Sequence, residues 1–138
     1  MRVKDLMVRD VLTCAKDDPV LAAAKKMLDH NVGMLVVVED HLSKKPMGVV
    51  SDRDLLDRAL VKKIKVDSTA VEKVMSKRLI SVGPQESMEK AVELMKKNGI
   101  KRLVVIDDLG ALVGILSKED VIRQILDIRR QLLDMPSF

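Results

Sequence analysis

Apolar positions along the chain change their period in a set order, and the order occurs twice. Val11 to Cys14 is a short branched run. From Asp18 or Pro19 onward, Val20, Ala23, Ala24, Met27 and Leu28 share one face of a 3.6-residue period, and Asn31 to Gly33 ends it. Met34 to Val38 and Met47 to Val50 then form two branched runs separated by a polar turn. Short branched runs predict strands, the periodic stretch predicts an amphipathic helix, and the paired runs predict a hairpin. The second half repeats the order. Leu79 to Val82 is followed by a helical pattern opening at Glu86 or Ser87, with Met88, Ala91, Val92 and Met95 on one face. It stops at Asn98 and Gly99, and a hairpin of Arg102 to Ile106 with Leu112 to Leu116 follows. Methionines at helical spacing are read as core residues. Each hairpin runs directly into a further helix, starting at Ser51 or Ser117.

Sliding the chain on itself by 68 residues places Met7 on Met75, Thr13 on Ser81, Ala23 on Ala91, Met27 on Met95 and Val36 on Val104 without a gap. After Asp40 and Asp108 the offset falls to 66, because the first copy carries the longer turn DHLSKKPM where the second has DLGAL. A hairpin loop tolerates such an insertion. The predicted class is therefore α+β, with a strand-helix-strand-strand-helix unit written twice. The repeats occupy 1–64 and 65–138, with VKKIKVDST as connector and a helical tail at the end. A unit of about 60 residues buries only about 60% of its unfolded surface, so the two are expected to pack together. The closing helices carry paired aliphatics, Leu55, Leu56, Ala59 and Leu60 in one and Val121, Ile122, Ile125 and Leu126 in the other. That is more apolar surface than a small sheet covers, and it predicts a homodimer.

Composition narrows the classes further. With 47% apolar and 33% charged residues in 138, the balance is that of a soluble globular chain. The apolar runs are far shorter than the roughly 20 residues of a membrane span. The opening MRVKDLMVRD has no apolar signal core, so a cytoplasmic protein without a membrane partner is expected. Cys14 has no cysteine to pair with and reads as a small buried apolar residue. His30 and His41 lie eleven apart with no cysteine cluster around them, which is not a zinc spacing, and are expected on the surface. The net charge of +4 is spread along the chain, and Phe138 is its only aromatic residue. Nucleic-acid binding through SKK, VKKIK and MKKNGIKR is thus a weaker reading than a solvated basic surface. No Walker-type glycine loop, Ser/His/Asp order or metal cluster is present, so no enzyme is expected.

One pattern carries more chemistry than the rest. Residues 48–55 read GVVSDRDL and residues 114–121 read GILSKEDV, 66 apart. Ser51 and Ser117 stand where a buried strand becomes a helix, with Asp54 and Asp120 three residues on. One reading is a capping box, worth about 1 kcal/mol per helix. The other uses the same geometry for a ligand, because a helix N-terminus offers unpaired N–H groups and a partial positive charge to a phosphate. A serine hydroxyl can donate to a phosphate oxygen, and an ionised Asp can accept two hydrogen bonds from a vicinal diol. Phosphate and ribose together describe a nucleotide, and two octets imply two potential sites.

The duplicated octet, the hairpin before it, and the segments VKDLMVRDVLTCAKDDPV and VEKVMSKRLISVGPQESM resemble tandem cystathionine β-synthase (CBS) domains, from about Val3 to Leu126. The resemblance implies two repeats packed through their sheets about a pseudo-twofold axis, modules that dimerise into a flat disc, and clefts for adenosine ligands. AMP, ADP, ATP and S-adenosylmethionine are the ligands implied. It further implies that Asp54 and Asp120 hold ribose hydroxyls, that Ser51 and Ser117 face phosphate, and that adenine lies near Leu12 and Thr13 or Ile80 and Ser81, against Val32 or Ile100. Lys101, Arg102 and Lys118 serve the second site, whereas Arg53 is the one nearby cation of the first, so the second is expected to be better for phosphate. Glu119 disfavours a triphosphate, which leaves AMP or ADP first. No length remains for a further domain, so a free-standing sensor is expected, acting on a regulated protein not yet known through its apolar helices and the tail IRRQLLDMPSF. A module that keeps the fold without a ligand, as scaffold, is the alternative.

Overall fold

Branched side chains are stiff at χ1 and pack well on a pleated surface, and both continuous runs form strands over the predicted bounds. In a computed structural model describing residues 1–137, the first half forms α1 (Val3–Leu6), β1 (Thr13–Ala15), α2 (Val20–His30), β2 (Met34–Val38), β3 (Pro46–Ser51) and α3 (Asp52–Asp54). The helix α3 widens into a π-helical stretch over Leu55–Leu60, and a 3₁₀ turn follows at Val71–Lys73. The second half forms β4 (Ser81–Val82), α4 (Met88–Asn98), β5 (Arg102–Ile106), β6 (Leu112–Ser117) and α5 (Lys118–Leu133). Phe138 lies outside the described residues.

The strands make two three-stranded sheets, ordered β1-β2-β3 and β4-β5-β6. β1 runs parallel to β2 with Thr13 opposite Val36, and β4 runs parallel to β5 with Ser81 opposite Val104. Parallel neighbours need a crossover, and α2 and α4 supply it. β3 pairs antiparallel with β2, Met34 facing Ser51, and the register shifts between Val37 and Val38 beside the longer turn. Each central strand is covered on both faces and is therefore apolar without alternation. Leu35, Val37 and Val50 centre one core; Leu103, Val105 and Leu116 centre the other.

Two compact units result. Asp10–Leu79 and Gly110–Leu112 form one; Met1–Arg9, Ile80–Leu109 and the chain from Val113 onward form the other. The units cut across the halves 1–64 and 65–138, because a hairpin leaves one edge of unpaired backbone groups that another segment can satisfy. Val8 exchanges two backbone bonds with Ile115 of β6, at 2.8 and 2.9 Å, and Val3 is fully buried in the second core. In the other unit Ser76 exchanges two bonds with Val49 of β3, at 2.8 and 3.0 Å, and Val71 and Val74 are buried.

This docking explains the glycine that opens each octet. A Cβ at Gly48 would collide with the backbone carbonyl oxygen of Ser76, and one at Gly114 would stand 2.6 Å from Met7 Sδ and 3.0 Å from Val8 O. The Ser76 and Val8 carbonyls are both fixed by their pairing, but the approach to Val8 O is the longer one and the thioether of Met7 can swing away. Gly48→Ala is therefore expected to destabilise by about 1–3 kcal/mol and Gly114→Ala by less. Urea midpoints measured on both variants check the order, and equal losses would refute it.

The predicted helix faces are narrower than periodicity suggests. Val20, Ala23 and Met27 are buried, as are Ala91 and Met95, but Leu28 is 80% exposed and Val92 43%. A three-stranded sheet covers only one stripe of an eleven-residue helix. Ala24 and Val92 instead line grooves beside the closing helices. Asn31 and Gly99 end α2 and α4 in the left-handed conformation, with φ of 52° and 62°. Cys14 is buried, and burial together with the charge of Asp18 pushes its thiol up to about 12. Both histidines are exposed, His41 Nε2 lying 2.9 Å from Asp18 Oδ1. Among the described residues no helix is long and apolar enough to cross a membrane, and no three His, Cys, Asp or Glu are grouped to hold a metal.

Candidate functional site

In the first repeat β3 ends at Ser51, whose extended backbone (φ −111°, ψ 167°) makes it the N-cap of α3. Its Oγ accepts the Asp54 N–H at 3.1 Å, and Asp54 Oδ2 accepts the Ser51 N–H at 2.9 Å. The capping box is thus complete. Neighbouring groups are satisfied as well: the Asp52 N–H donates to Gly33 O at 3.0 Å, and the Arg53 N–H to Asp52 Oδ1 at 2.8 Å. The Ser51 hydroxyl donates to Asp54 Oδ2 at 3.1 Å, so that oxygen takes two donors while Oδ1 takes none among the described residues. The Arg53 guanidinium turns to Asp57, 3.4 Å away on the exposed surface.

The second repeat builds the same box differently. Ser117 caps α5, its Oγ accepting the Asp120 N–H at 3.1 Å, and Asp120 Oδ2 accepts the Ser117 N–H at 2.8 Å. Here the hydroxyl donates to no group among the described residues, and the Glu119 N–H has no acceptor among them. Asp120 Oδ1 is held by Arg123 Nη2 at 3.2 Å, the carboxylate being 10% exposed and the arginine 75%. A carboxylate offers about four acceptor positions. Asp120 therefore keeps one on each oxygen, which matches two adjacent hydroxyls. Asp54 keeps both on one oxygen.

In each unit a backbone bond ties the turn before the central strand to the helix start. Gly33 O ties the turn after Val32 to α3, and Lys101 O ties the Ile100–Lys101 turn to α5, accepting the Lys118 N–H at 2.7 Å. Leu12 O accepts the Val36 N–H at 3.2 Å and Ile80 O the Val104 N–H at 3.3 Å, which sets Thr13 and Ser81 beside the central strand. Thr13 and Ser51 flank β2 on opposite edges, Thr13 facing Val36 and Ser51 facing Met34. None of Leu12, Thr13, Val32, Ser51, Arg53 and Asp54, nor of Ile80, Ser81, Ile100, Lys101, Arg102, Ser117, Lys118 and Asp120, is buried. Lys101, Arg102 and Lys118 have no ion-pair partner among the described residues.

Three residues join the site that pattern reasoning passed over. Lys26 Nζ donates to Thr13 O at 2.6 Å, in a part-buried position. The offset of 68 places Leu94 at the equivalent position, an apolar residue with no donor. Arg123, three residues after Asp120, and Asp52, beside Ser51, are the others; their spacing was the available signal.

Two grooves open near these elements, and the larger borders the start of α5 through Ile100, Lys101 and Lys118. One of about 450 Å³ opens between α4 and α5, where Val92, Met95, Val121, Ile122 and Ile125 form an apolar wall and Lys96, Lys101 and Lys118 the rim. One of about 230 Å³ lies between α2 and the Leu55–Leu60 stretch. Ser117 and Asp120 do not line the larger groove, so it is an apolar face beside the helix start.

The geometry agrees with what known proteins share with this chain. The CBS domain family model matches twice, over residues 3–60 and 71–127. The CBS domain-containing protein YhcV of Bacillus subtilis is 37% identical over 119 residues, covering 86% of this chain and 81% of that protein. The chain spans about three-fifths of the length of the curated relatives it matches first. Among solved structures, the AcuB protein from Vibrio cholerae superposes with a TM-score of 0.84 at 28% identity, covering 99% of this chain and 98% of that one. The CBS domain pair of protein MJ0100, in complex with 5′-methylthioadenosine and S-adenosyl-L-methionine, gives 0.78 at 27% identity, covering 91% and 99%. Two family matches on two repeated α+β units with the same helix-start chemistry lead to one conclusion: the chain belongs to the CBS-domain family and carries a pair of its domains.

Proposed function

We propose that the chain is a regulatory module that binds an adenine nucleotide, AMP or ADP before ATP, with S-adenosylmethionine as a further ligand, and acts on a partner protein by binding rather than by catalysis. The observation that carries this reading is the start of α5, where Asp120 keeps one acceptor position per oxygen and a serine hydroxyl and an N–H stand uncommitted beside Lys101, Arg102 and Lys118. The diol of a ribose would meet Asp120, and the phosphate would meet Ser117 and the lysines. Hydrogen bonds to charged groups contribute about 1.5–3 kcal/mol each, so a few suffice for micromolar affinity. The adenosyl ligands held by the MJ0100 pair support the ligand class.

Regulation would follow from differential affinity. A ligand shifts an equilibrium only by the difference in its affinity for the two arrangements. The exposed aliphatics Leu56, Leu60, Ile122, Ile125 and Leu126 support an apolar contact with a second copy or a target. A second reading is favoured by the completed capping boxes, which give each octet a structural purpose without any ligand; the module would then be a scaffold.

Calorimetry and thermal shift with AMP, ADP, ATP and S-adenosylmethionine separate the two. Saturable heat and a raised midpoint with at least one of them are expected. Silence with all four overturns the sensor reading in favour of the scaffold.

A further inference from the structure

We propose that the two repeats are not equivalent ligand sites: the second is open to a nucleotide, and the first is closed by its own lysine, Lys26. This rests on the nucleotide-binding reading above and specifies which site works. An adenine base recognised along β1 must reach main-chain groups at its edge, and in the first repeat the Lys26 ammonium already stands on one of them. The Lys26 ammonium holds Thr13 O at 2.6 Å, part-buried. A charge-assisted bond of that length is among the stronger ones, and a base displacing it would leave a cation without its acceptor in a sheltered position. In the second repeat the aligned residue is Leu94, whose side chain competes for nothing.

The helix starts differ in the same direction. At α3 the Arg53 N–H is consumed by Asp52, and the Ser51 hydroxyl points its proton at Asp54. The charges flanking that turn are Asp52, Asp54 and Asp57 against Arg53. At α5 the flanking charges are Lys118 and Arg123 with Lys101 and Arg102, against Glu119 and Asp120. A phosphate entering the first repeat meets acid; entering the second, it meets base. A hydroxyl rotor turns readily, and exposed charges are screened by salt. The Lys26 bond is the obstacle that remains, and it makes Lys26 the residue that determines occupancy.

Calorimetry on the full chain with AMP as probe tests this. The wild type is expected to take one AMP per chain, and Asp120→Ala to take none at AMP concentrations that saturate the wild type. Lys26→Leu, which copies the second repeat into the first, is expected to take two, and the double variant Lys26→Leu/Asp120→Ala to retain one. Lys26→Met serves as a second replacement, with thermal midpoints verifying that each variant is folded. Two AMP per chain in the wild type, or one in both folded Lys26 variants, overturns the closure while leaving nucleotide binding intact. Failure of the wild type to bind AMP overturns the closure too. If ADP, ATP and S-adenosylmethionine are silent as well, the nucleotide reading itself has failed.

Discussion

Asp120→Ala is expected to weaken AMP binding by roughly 10²- to 10⁴-fold, since two hydrogen bonds from ribose to a carboxylate contribute about 1.5–3 kcal/mol each. The carboxylate has the geometry for both: among the described residues Oδ2 takes only the Ser117 N–H at 2.8 Å, and Oδ1 only Arg123 at 3.2 Å. The same substitution opens the capping box of α5 and should lower stability by about 1 kcal/mol, so affinity and thermal midpoint must be measured together. A ligand lacking one hydroxyl tells the two effects apart. The wild type should bind 2′-deoxy-AMP far more weakly than AMP, and Asp120→Ala should bind the two alike, because the acceptor that distinguishes them is gone. Equal discrimination before and after the substitution would place the diol elsewhere. Double-mutant logic of this kind isolates the pairwise contact from any general loosening of the helix.

Leu103→Ala should be among the most damaging single truncations of the second core. Leu103 is fully buried in β5, packed with Val3, Val105 and Leu116. Truncation of such a leucine removes transfer free energy and leaves a cavity, together about 2–5 kcal/mol. Against a total stability of about 5–15 kcal/mol, that is a large fraction. Leu109 is 93% exposed in the turn only six residues on, and Leu109→Ala should change stability by no more than about 0.5 kcal/mol. Urea denaturation of both checks the contrast; comparable losses would mean that the core has been misassigned.

The strands Met34–Val38 and Arg102–Ile106 were legible to the residue because a central strand covered on both faces writes itself as an unbroken branched run. The first strands were less so. Val11 to Cys14 was expected and Thr13–Ala15 forms, since the ladder from Thr13–Val36 to Ala15–Val38 sets its limits, not local propensity. Segments 3–6 and 71–74 are too short to show any period, and their partners are remote: Val3 bonds to Glu86, and Ser76 docks 28 residues beyond Gly48. The close approach that the octet glycines permit is set by these remote partners, and local sequence does not report it. At the candidate site, Ser51 with Asp54 and Ser117 with Asp120 could be read because a capping box is local. The bond from Lys26 to Thr13 spans thirteen residues across a helix and a strand, and no spacing rule reports it.

The packing of residues 1–9 with the unit that contains Ile80–Leu109 has a consequence for synthesis. These residues leave the ribosome before their neighbours on β6 and around Glu86, which follow after a delay on the order of ten seconds at usual elongation speeds. Until then Val3 and Val8 trail without a berth, and the nascent front half must hold together around β1, β2 and β3 alone. Deleting residues 1–9 would thus injure the unit that contains Ile80–Leu109.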